Sequence, residues 1–268
     1  MKLRSLFILP VALTLFTSGA QAAVQADSPT TVDTIQVGEQ LPRAALLKPG
    51  VRRYARYMID GDSRVLMDLW TRQLSYEEQD GRRIMRIRQR WDAADKSYVA
   101  HFDQTFEPGT FRPFSQTQTV IRGGASKSLS VTIADGKVDS TGDGGTEAAK
   151  PLHKAFGTTF YNWHTDMELL KALPLARGYA ASIPFYDVGL DPPARYIYKV
   201  AGEEVLPAAD GTPIKCWLVL FQEKPTEPVV RFWFSERNQI LIREETKIPG
   251  QGTLVKTLLN AEAEDRAA

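Results

Sequence analysis

From Val51 onward, apolar residues recur at every second position rather than every three or four, and this period of two constrains the fold more than any other feature of the chain. Such alternation suits a half-buried strand, because successive side chains leave a strand on opposite faces. The clearest case surrounds Asp80-Gly81, a dipeptide favoured in two-residue hairpin turns whose central residues both take positive φ. Pairing residues 64–78 with 82–92 across that turn sets Tyr76 opposite Met85, Leu74 opposite Ile87 and Trp70 opposite Trp91. One face of the ribbon is then apolar and aromatic, while Arg86, Arg88 and Arg90 line the other face opposite Ser75, Gln73 and Thr71. Turn chemistry and alternation agree on one register, and a slip of one residue would turn every aromatic side chain to the wrong side.

The same alternation predicts strands over 98–106, 114–121, 128–133, 137–140, 178–186, 195–205, 214–223, 229–235, 240–246 and 254–259, with a glycine-rich loop over 141–146. A tight turn at Arg237-Asn238 places Arg231 opposite Glu244 and Trp233 opposite Ile242. A helix is expected from near Thr165, where Thr165-x-x-Glu168 has the form of a capping box ahead of Leu169 and Leu170, and Pro174 ends it. No internal repeat of fixed period and no Pro- or Gly-rich linker divides the chain. Ten or more strands with one or two helices predict a mainly β fold, a strongly curved antiparallel sheet forming an open or unclosed barrel. Residues 47–259 are expected to form a single β-rich domain, behind a flexible leader over 23–46 and ahead of a polar tail over 260–268.

Met1 to Ala22 has a basic start (Lys2, Arg4), an apolar run over 6–16 and small residues at Ala20 and Ala22, the three-part layout of a secretory signal peptide. Export to the periplasm or beyond is therefore expected, with cleavage after Ala22. No cysteine follows the run directly, which excludes lipid attachment at the new N-terminus, and no later segment approaches the ~18 apolar residues of a membrane-spanning helix. Loss of Lys2 and Arg4 takes 33 basic residues to 31 against 32 acidic ones. That balance argues against nucleic acid as a partner, which calls for a basic excess. One cysteine excludes an internal disulfide framework and any multi-cysteine metal centre.

Few residues suggest chemistry. His101, His153 and His164 are the only histidines, and neither His101-x-Asp103 nor His164-x-Asp166 brings a third ligand with it. The stretch over 123–128 lacks the glycines of a phosphate loop and is a hairpin turn instead. Residues 139–150 begin like a calcium loop but end on Lys150 where a bidentate Glu is required. Cys216, between Lys215 and Trp217 in an apolar run, is expected to be a buried, unactivated thiol. Asp166 and Glu168 suit the first turn of a helix, and Glu244 and Glu245 an edge strand. Arg86, Arg88 and Arg90, with Arg52, Arg53 and Arg56 near in sequence, form either a solvated sheet face or a basic strip for phospholipid headgroups or an acidic partner. No cofactor and no metal is implied.

Residues 162–175 (Asn162-Trp163-His164-Thr165 through Leu173-Pro174-Leu175), then Gly178-Tyr179, Ile183-Pro184-Phe185-Tyr186, Cys216-Trp217, Arg231-Phe232-Trp233-Phe234 and residues 254–258, together resemble a family of uncharacterised exported bacterial proteins with a domain of unknown function. The resemblance spans roughly residues 47–259. It implies a fold similar to the periplasmic lipoprotein carriers, with helices against the concave side of a curved sheet, and carries no catalytic residues with it. Two function classes follow. One is a non-enzymatic binder or carrier of an apolar ligand, a lipid or acyl chain, with Trp70, Trp91, Trp163, Met167, Leu170 and Trp217 as candidate contacts. The other is a cell-envelope hydrolase with a carboxylate or histidine centre. A structural envelope-assembly factor with a protein partner is a third reading. The helix carries Met167, Leu169, Leu170 and Leu173, more apolar surface than an amphipathic stripe needs, so its side chains either border a pocket or fill the core.

Overall fold

Asp80 and Gly81 both take positive φ, 51° and 73°, and close a hairpin between β3 (Ser63–Gln79) and β4 (Arg82–Ala93). The register is the expected one, with Trp70 paired to Trp91, Leu74 to Ile87 and Tyr76 to Met85. The structure is a computed structural model and describes residues 31–140, 152–188, 192–208 and 211–260. The expected signal peptide over 1–22, the glycine-rich loop over 141–146, most of the calcium-like stretch and residues 261–268 of the tail lie outside the described residues.

The other strands are β1 (Asp33–Thr34), β2 (Gly50–Asp60), β5 (Val99–Phe106), β6 (Pro113–Arg122), β7 (Ala125–Ala134), β8 (Lys137–Ser140), β9 (His153–Ala155) and β10 (Tyr161–Asn162). After α1 (Asp166–Lys171), the one α-helix among the described residues, come β11 (Ala180–Tyr186), β12 (Ala194–Pro207), β13 (Pro213–Phe221), β14 (Val230–Ser235), β15 (Leu241–Ile248) and β16 (Gly252–Asn260). All belong to one sheet, ordered β1-β11-β12-β13-β14-β15-β16-β2-β3-β4-β5-β6-β7-β8-β9, with β10 beside β11. Neighbours pair antiparallel except β1 and β10, which run parallel to β11. The ladder is not closed: among the described residues, β9 at one end does not bond to β1 at the other.

Side chains report the curvature. Phe185, Tyr198 and Phe221 from β11–β13 share a core cluster with Tyr54, Trp70 and Met85 from β2–β4, which stand several strands away in the ladder. A flat sheet could not bring those faces together. Register shifts on five strand pairs, such as those at Arg56/Tyr57 and Leu258/Asn260, supply the local bends that curl a sheet. Where hydrogen bonding stops, rings take over: Phe160 and Phe156 pack on Tyr186 of β11 at 4.9 Å each, within a second cluster that holds Val131, Ile133 and Val138 of β7 and β8.

Three local expectations are corrected. Part of the leader over 23–46 packs on the domain: β1 pairs with β11, Leu41 is buried, and Ile35 and Val37 pack on the main core. Polar composition hid these three apolar anchors. The capping box does not form, although the helix begins where expected. Thr165 Oγ1 donates to the Asn162 carbonyl instead, and Glu168 is held by Arg72. The turn after β14 spans 236–239 rather than two residues, with Gln239 at φ 51° and the Ser235 amide donating to the Ile240 carbonyl at 2.9 Å. A shift between Trp233 and Phe234 then moves the register, so that Arg231 faces Glu245 and Trp233 faces Arg243.

Candidate functional site

The segment from Tyr161 to Leu173 crosses the concave face as a strap, and buried polar side chains hold it at both ends. On the first side Arg72 of β3 carries the load. Its guanidinium donates to Glu168 Oε1 at 3.0 Å and to Glu168 Oε2, to Gln89 Oε1 at 2.8 Å, and to the His164 carbonyl at 2.8 Å. From Gln89 the network runs strand to strand: Gln89 Nε2 to Gln104 Oε1 at 3.1 Å, then Gln104 Nε2 to Gln116 Oε1 at 3.3 Å and to Asn162 Oδ1 at 3.0 Å. Asn162 closes it by donating to Gln116 and accepting from the His164 amide. Most polar groups of this buried network are satisfied in this way, and Gln116 Nε2 is the one amide donor of these four side chains left without a partner.

At the other end, Gln239 is fully buried and donates to the carbonyls of Lys171 at 3.0 Å and Leu173 at 2.8 Å. The Arg43 amide adds a bond to the Ala172 carbonyl at 2.9 Å, and its side chain donates to Gln239 Oε1. A helix leaves its last carbonyls without intrahelical partners, and here a distant turn supplies the donors. Between the two anchors Met167, Leu169, Leu170 and Leu173 are buried. They fill the core.

Beside the strap lies a charged row. Glu244, Lys256, Arg56 and Asp68 face one another in register across β15, β16, β2 and β3. Lys256 pairs with Glu244, and Arg56 grips Asp68 at 2.7 Å through Nε and again through Nη2. Tyr98 donates to the same carboxylate at 2.7 Å. Both cations lie over the Trp70 ring, the Lys256 ammonium at 4.2 Å and the Arg56 guanidinium at 4.6 Å from its centroid. Trp70 in turn stacks on Trp91, with centroids 4.1 Å apart and planes 4° from parallel. Lys256 and Asp68 are buried, whereas the side chains of Arg56 and Glu244 keep 19 % and 20 % exposure, so the row meets solvent at those two groups. Asp166, at the start of α1, joins this neighbourhood. Desolvation lifts its carboxyl to about 6, against the attraction of Lys256 and Arg72 and with the repulsion of Glu244 and Glu168.

Such a row is more than the fold requires. Replacing a buried ion pair by packed apolar side chains is often neutral or stabilising, whereas removing one member costs about 3–5 kcal/mol. A concentration of buried charge with a shifted carboxyl therefore marks a candidate site.

Comparison with known proteins now bears on the chain. The family described as "Protein of unknown function (DUF3108)" matches residues 63–258. The chain belongs to this family. A crystal structure described as a beta-barrel-like protein of domain of unknown function DUF1849 from Brucella abortus superposes with a TM-score of 0.51 at 14 % identity, over 79 % of this chain and 96 % of that one. At that identity the likeness is one of fold: an unclosed, barrel-like sheet in a DUF3108 protein. No curated protein matches the chain.

All six ligand-contact candidates belong to the main core cluster or border it. Trp70, Met167 and Leu170 are buried members of the main cluster, and half-buried Trp91, Trp163 and Trp217 pack against it. Trp163 meets Tyr196 at 4.9 Å, Phe185 at 5.5 Å and Phe221 at 5.8 Å, each edge-on. The residues that sequence reasoning missed are polar ones in apolar phase: Arg72 between Trp70 and Leu74, Gln89 between Ile87 and Trp91, Lys256 between Leu254 and Leu258. That interruption of phase was the available signal.

The remaining candidates separate from the site. Arg86 lies between Asp103 at 2.6 Å and Glu77 at 2.9 Å on the outer face, Arg88 is 3.3 Å from Glu77, and Arg90 is 2.7 Å from Asp92. This is a solvated face of alternating charge. The six arginines do not form one cluster, because Arg52 and Arg56 share the inward phase of buried Tyr54. His164 packs on Phe102 at 4.5 Å and approaches Asp187 at 3.5 Å, His153 pairs with Asp139 at 3.0 Å in solvent, and His101 faces Arg90 on the outer face. Among the described residues no three metal-ligating side chains converge. Cys216 is buried, and burial pushes its thiol up to about 12, far from a reactive thiolate at neutral pH. Gly123 and Gly124 make the hairpin turn between β6 and β7. A surface hollow of about 600 Å³ lies at the β2–β3 and β15–β16 tips, lined by Ile59, Asp60 and Lys247–Gly250, away from the aromatic cluster.

Proposed function

We propose that this DUF3108 protein is exported and acts, without catalysis, as a binder or carrier of an amphiphile with an acyl chain, held on the concave side of its sheet. The supporting observation is the contact of an aromatic wall with buried charge: the stacked Trp70–Trp91 pair carries Lys256 and Arg56 over its buried member, Trp70. Ligand sites are mostly apolar with a few placed polar groups, and this arrangement has both. Half-buried Trp91, Trp163 and Trp217 offer apolar surface at the border of the cluster. The expected layout at residues 1–22 accounts for export, and no described helix is long and apolar enough to cross a membrane.

Titration with a fluorescent fatty-acid probe tests the reading. Saturable binding that quenches tryptophan emission and weakens in Trp91→Leu supports it. Probe signal that rises linearly with concentration, equal in wild type and variant, overturns it.

A further inference from the structure

The outer face of the sheet, away from Trp70 and Lys256, carries a hollow of about 250 Å³. Two rows of side chains line it in register across β4, β5 and β6: Arg90, His101 and Thr119, then Arg88, Asp103 and Thr117. Two more polar side chains, from β3, close one side. Gln89 and Phe102 also border the hollow, but their side chains are buried on the concave face. Polar groups alone face a ligand there, which suits no acyl chain. Charge is matched within the sheet. Arg86 donates to Asp103 and Glu77, Arg90 donates to Asp92, and Arg88 lies 3.3 Å from Glu77 and 3.6 Å from Asp103. An ion would meet no net opposite charge. Hydrogen-bonding capacity remains. Each Asp103 oxygen accepts one bond from Arg86 and has room for another, while Arg88 keeps donors because Arg86 takes both carboxylates at closer range. Thr117 pairs with Ser130 at 3.0 Å and Thr119 with Ser128 at 2.7 Å, and each pair uses one hydroxyl hydrogen and leaves the other. Every outward position over 115–119 on β6 and 128–132 on β7 is Ser or Thr. Such short side chains lose little entropy on contact, unlike Lys or Glu.

We propose that this hollow binds a neutral saccharide, one ring of an extended chain laid across the strands. The site is on the opposite face of the sheet from the aromatic cluster and does not depend on the amphiphile-binding reading. A sugar hydroxyl donates one hydrogen bond and accepts others. It matches a surface on which guanidinium donors, carboxylate acceptors and two-way hydroxyls stand side by side. Arg88 and Asp103, neighbours in register, present a donor and an acceptor to adjacent hydroxyls of the ring. Their side chains are 40 % and 34 % exposed, so both reach a ligand from solvent. At about 250 Å³ the hollow is below the ~300–1,000 Å³ of pockets for drug-sized ligands and suits a single hexose ring. Neighbouring strands lie ~4.8 Å apart, close to the length of one unit in an extended hexose chain. The next ring then meets Ser128 and Ser130 of β7, where the hydroxyl rows continue past the hollow.

Calorimetric titration of the full chain with cellohexaose, N-acetylchitohexaose and mannohexaose tests this, with their monomers, inorganic phosphate and glucose 6-phosphate as comparisons. At least one hexamer is expected to bind saturably and at least tenfold tighter than its own monomer. Thr119→Val and Arg88→Met should each weaken that hexamer at least fivefold. Thr119→Ser keeps the hydroxyl and should restore binding. Unfolding midpoints of the variants without ligand are expected to match wild type, because both side chains sit on the outer face, so a loss of affinity is not a loss of fold. Failure of all three hexamers to bind overturns the proposal. Hexamer binding indifferent to both Thr119→Val and Arg88→Met overturns it too, by placing the sugar elsewhere. Tighter binding of inorganic phosphate or glucose 6-phosphate than of any neutral sugar also overturns it, and marks an anion site instead.

Discussion

Arg72 on β3 and Glu168 on α1, 96 residues apart in sequence, meet in a two-pronged ion pair buried between sheet and strap. The same guanidinium holds the His164 carbonyl and the Gln89 amide oxygen, so each of its three nitrogens is bonded. Desolvation opposes the charge on Arg72, and Glu168 more than compensates, leaving its pKa raised. The strap is therefore docked by an interaction that exists only in the assembled fold.

Arg72→Met is expected to destabilise by about 3–5 kcal/mol, because it leaves the Glu168 carboxylate buried without a counter-charge. The double variant Arg72→Met with Glu168→Met should recover much of that loss, giving a coupling of at least ~1 kcal/mol in a double-mutant cycle. Urea unfolding measures both. Additive losses would show that the pair does not hold the strap.

Asp166 should make the protein less stable at neutral than at mildly acid pH. Its carboxyl titrates at about 6 in the folded chain, above the ordinary value of 3.8. The folded state thus binds the proton more tightly, so the cost of ionising Asp166 is full above pH 6 and fades as pH falls toward 4. Asp166→Asn is expected to stabilise by about 2–3 kcal/mol at pH 8. The difference from wild type should shrink toward zero near pH 4 in urea midpoints taken across that range. A difference that stays constant with pH contradicts the assignment.

Gly81→Val should destabilise by at least ~1 kcal/mol, since a β-branched residue resists the φ of 73° found there, although its side chain would meet no atom within 4 Å. The cost is conformational, not steric crowding by neighbours. Thermal unfolding is the check, and a variant as stable as wild type would remove the turn as the feature that sets the β3–β4 register.

Export predicts a mature chain beginning at Ala23. N-terminal sequencing of protein recovered from the producing cell reads this directly, and Met1 retained in the cytoplasmic fraction would sink the expectation.

The sheet was legible in the sequence because alternation is local. Asp80-Gly81 set one register, and apolar phase carried it from Trp70 to Tyr76 without reference to the rest of the chain. The start of α1 after Thr165 was legible for the same reason. Its anchors were not. Glu168 has the spacing of a capping residue, and nothing near it in sequence reveals Arg72 as its partner. Gln239 follows the Arg237-Asn238 turn, yet it is buried and donates to the carbonyls of Lys171 and Leu173, 68 and 66 residues away. Lys256 and Arg56 stand in the inward phase of their strands, a polar interruption that becomes meaningful only when the sheet curls and sets them over Trp70. Curvature is a property of the whole ladder, and so the site it creates is invisible to any one segment.

The amphiphile-binding account is tested most directly by native mass spectrometry of the protein purified, without detergent, from the envelope of the cell that makes it. The account predicts a mass above that of residues 23–268 by one acyl-chain lipid, released as that lipid on collisional activation. A spectrum showing only the bare chain, which also takes up no lipid when mixed with an extract of the same envelope, would contradict it.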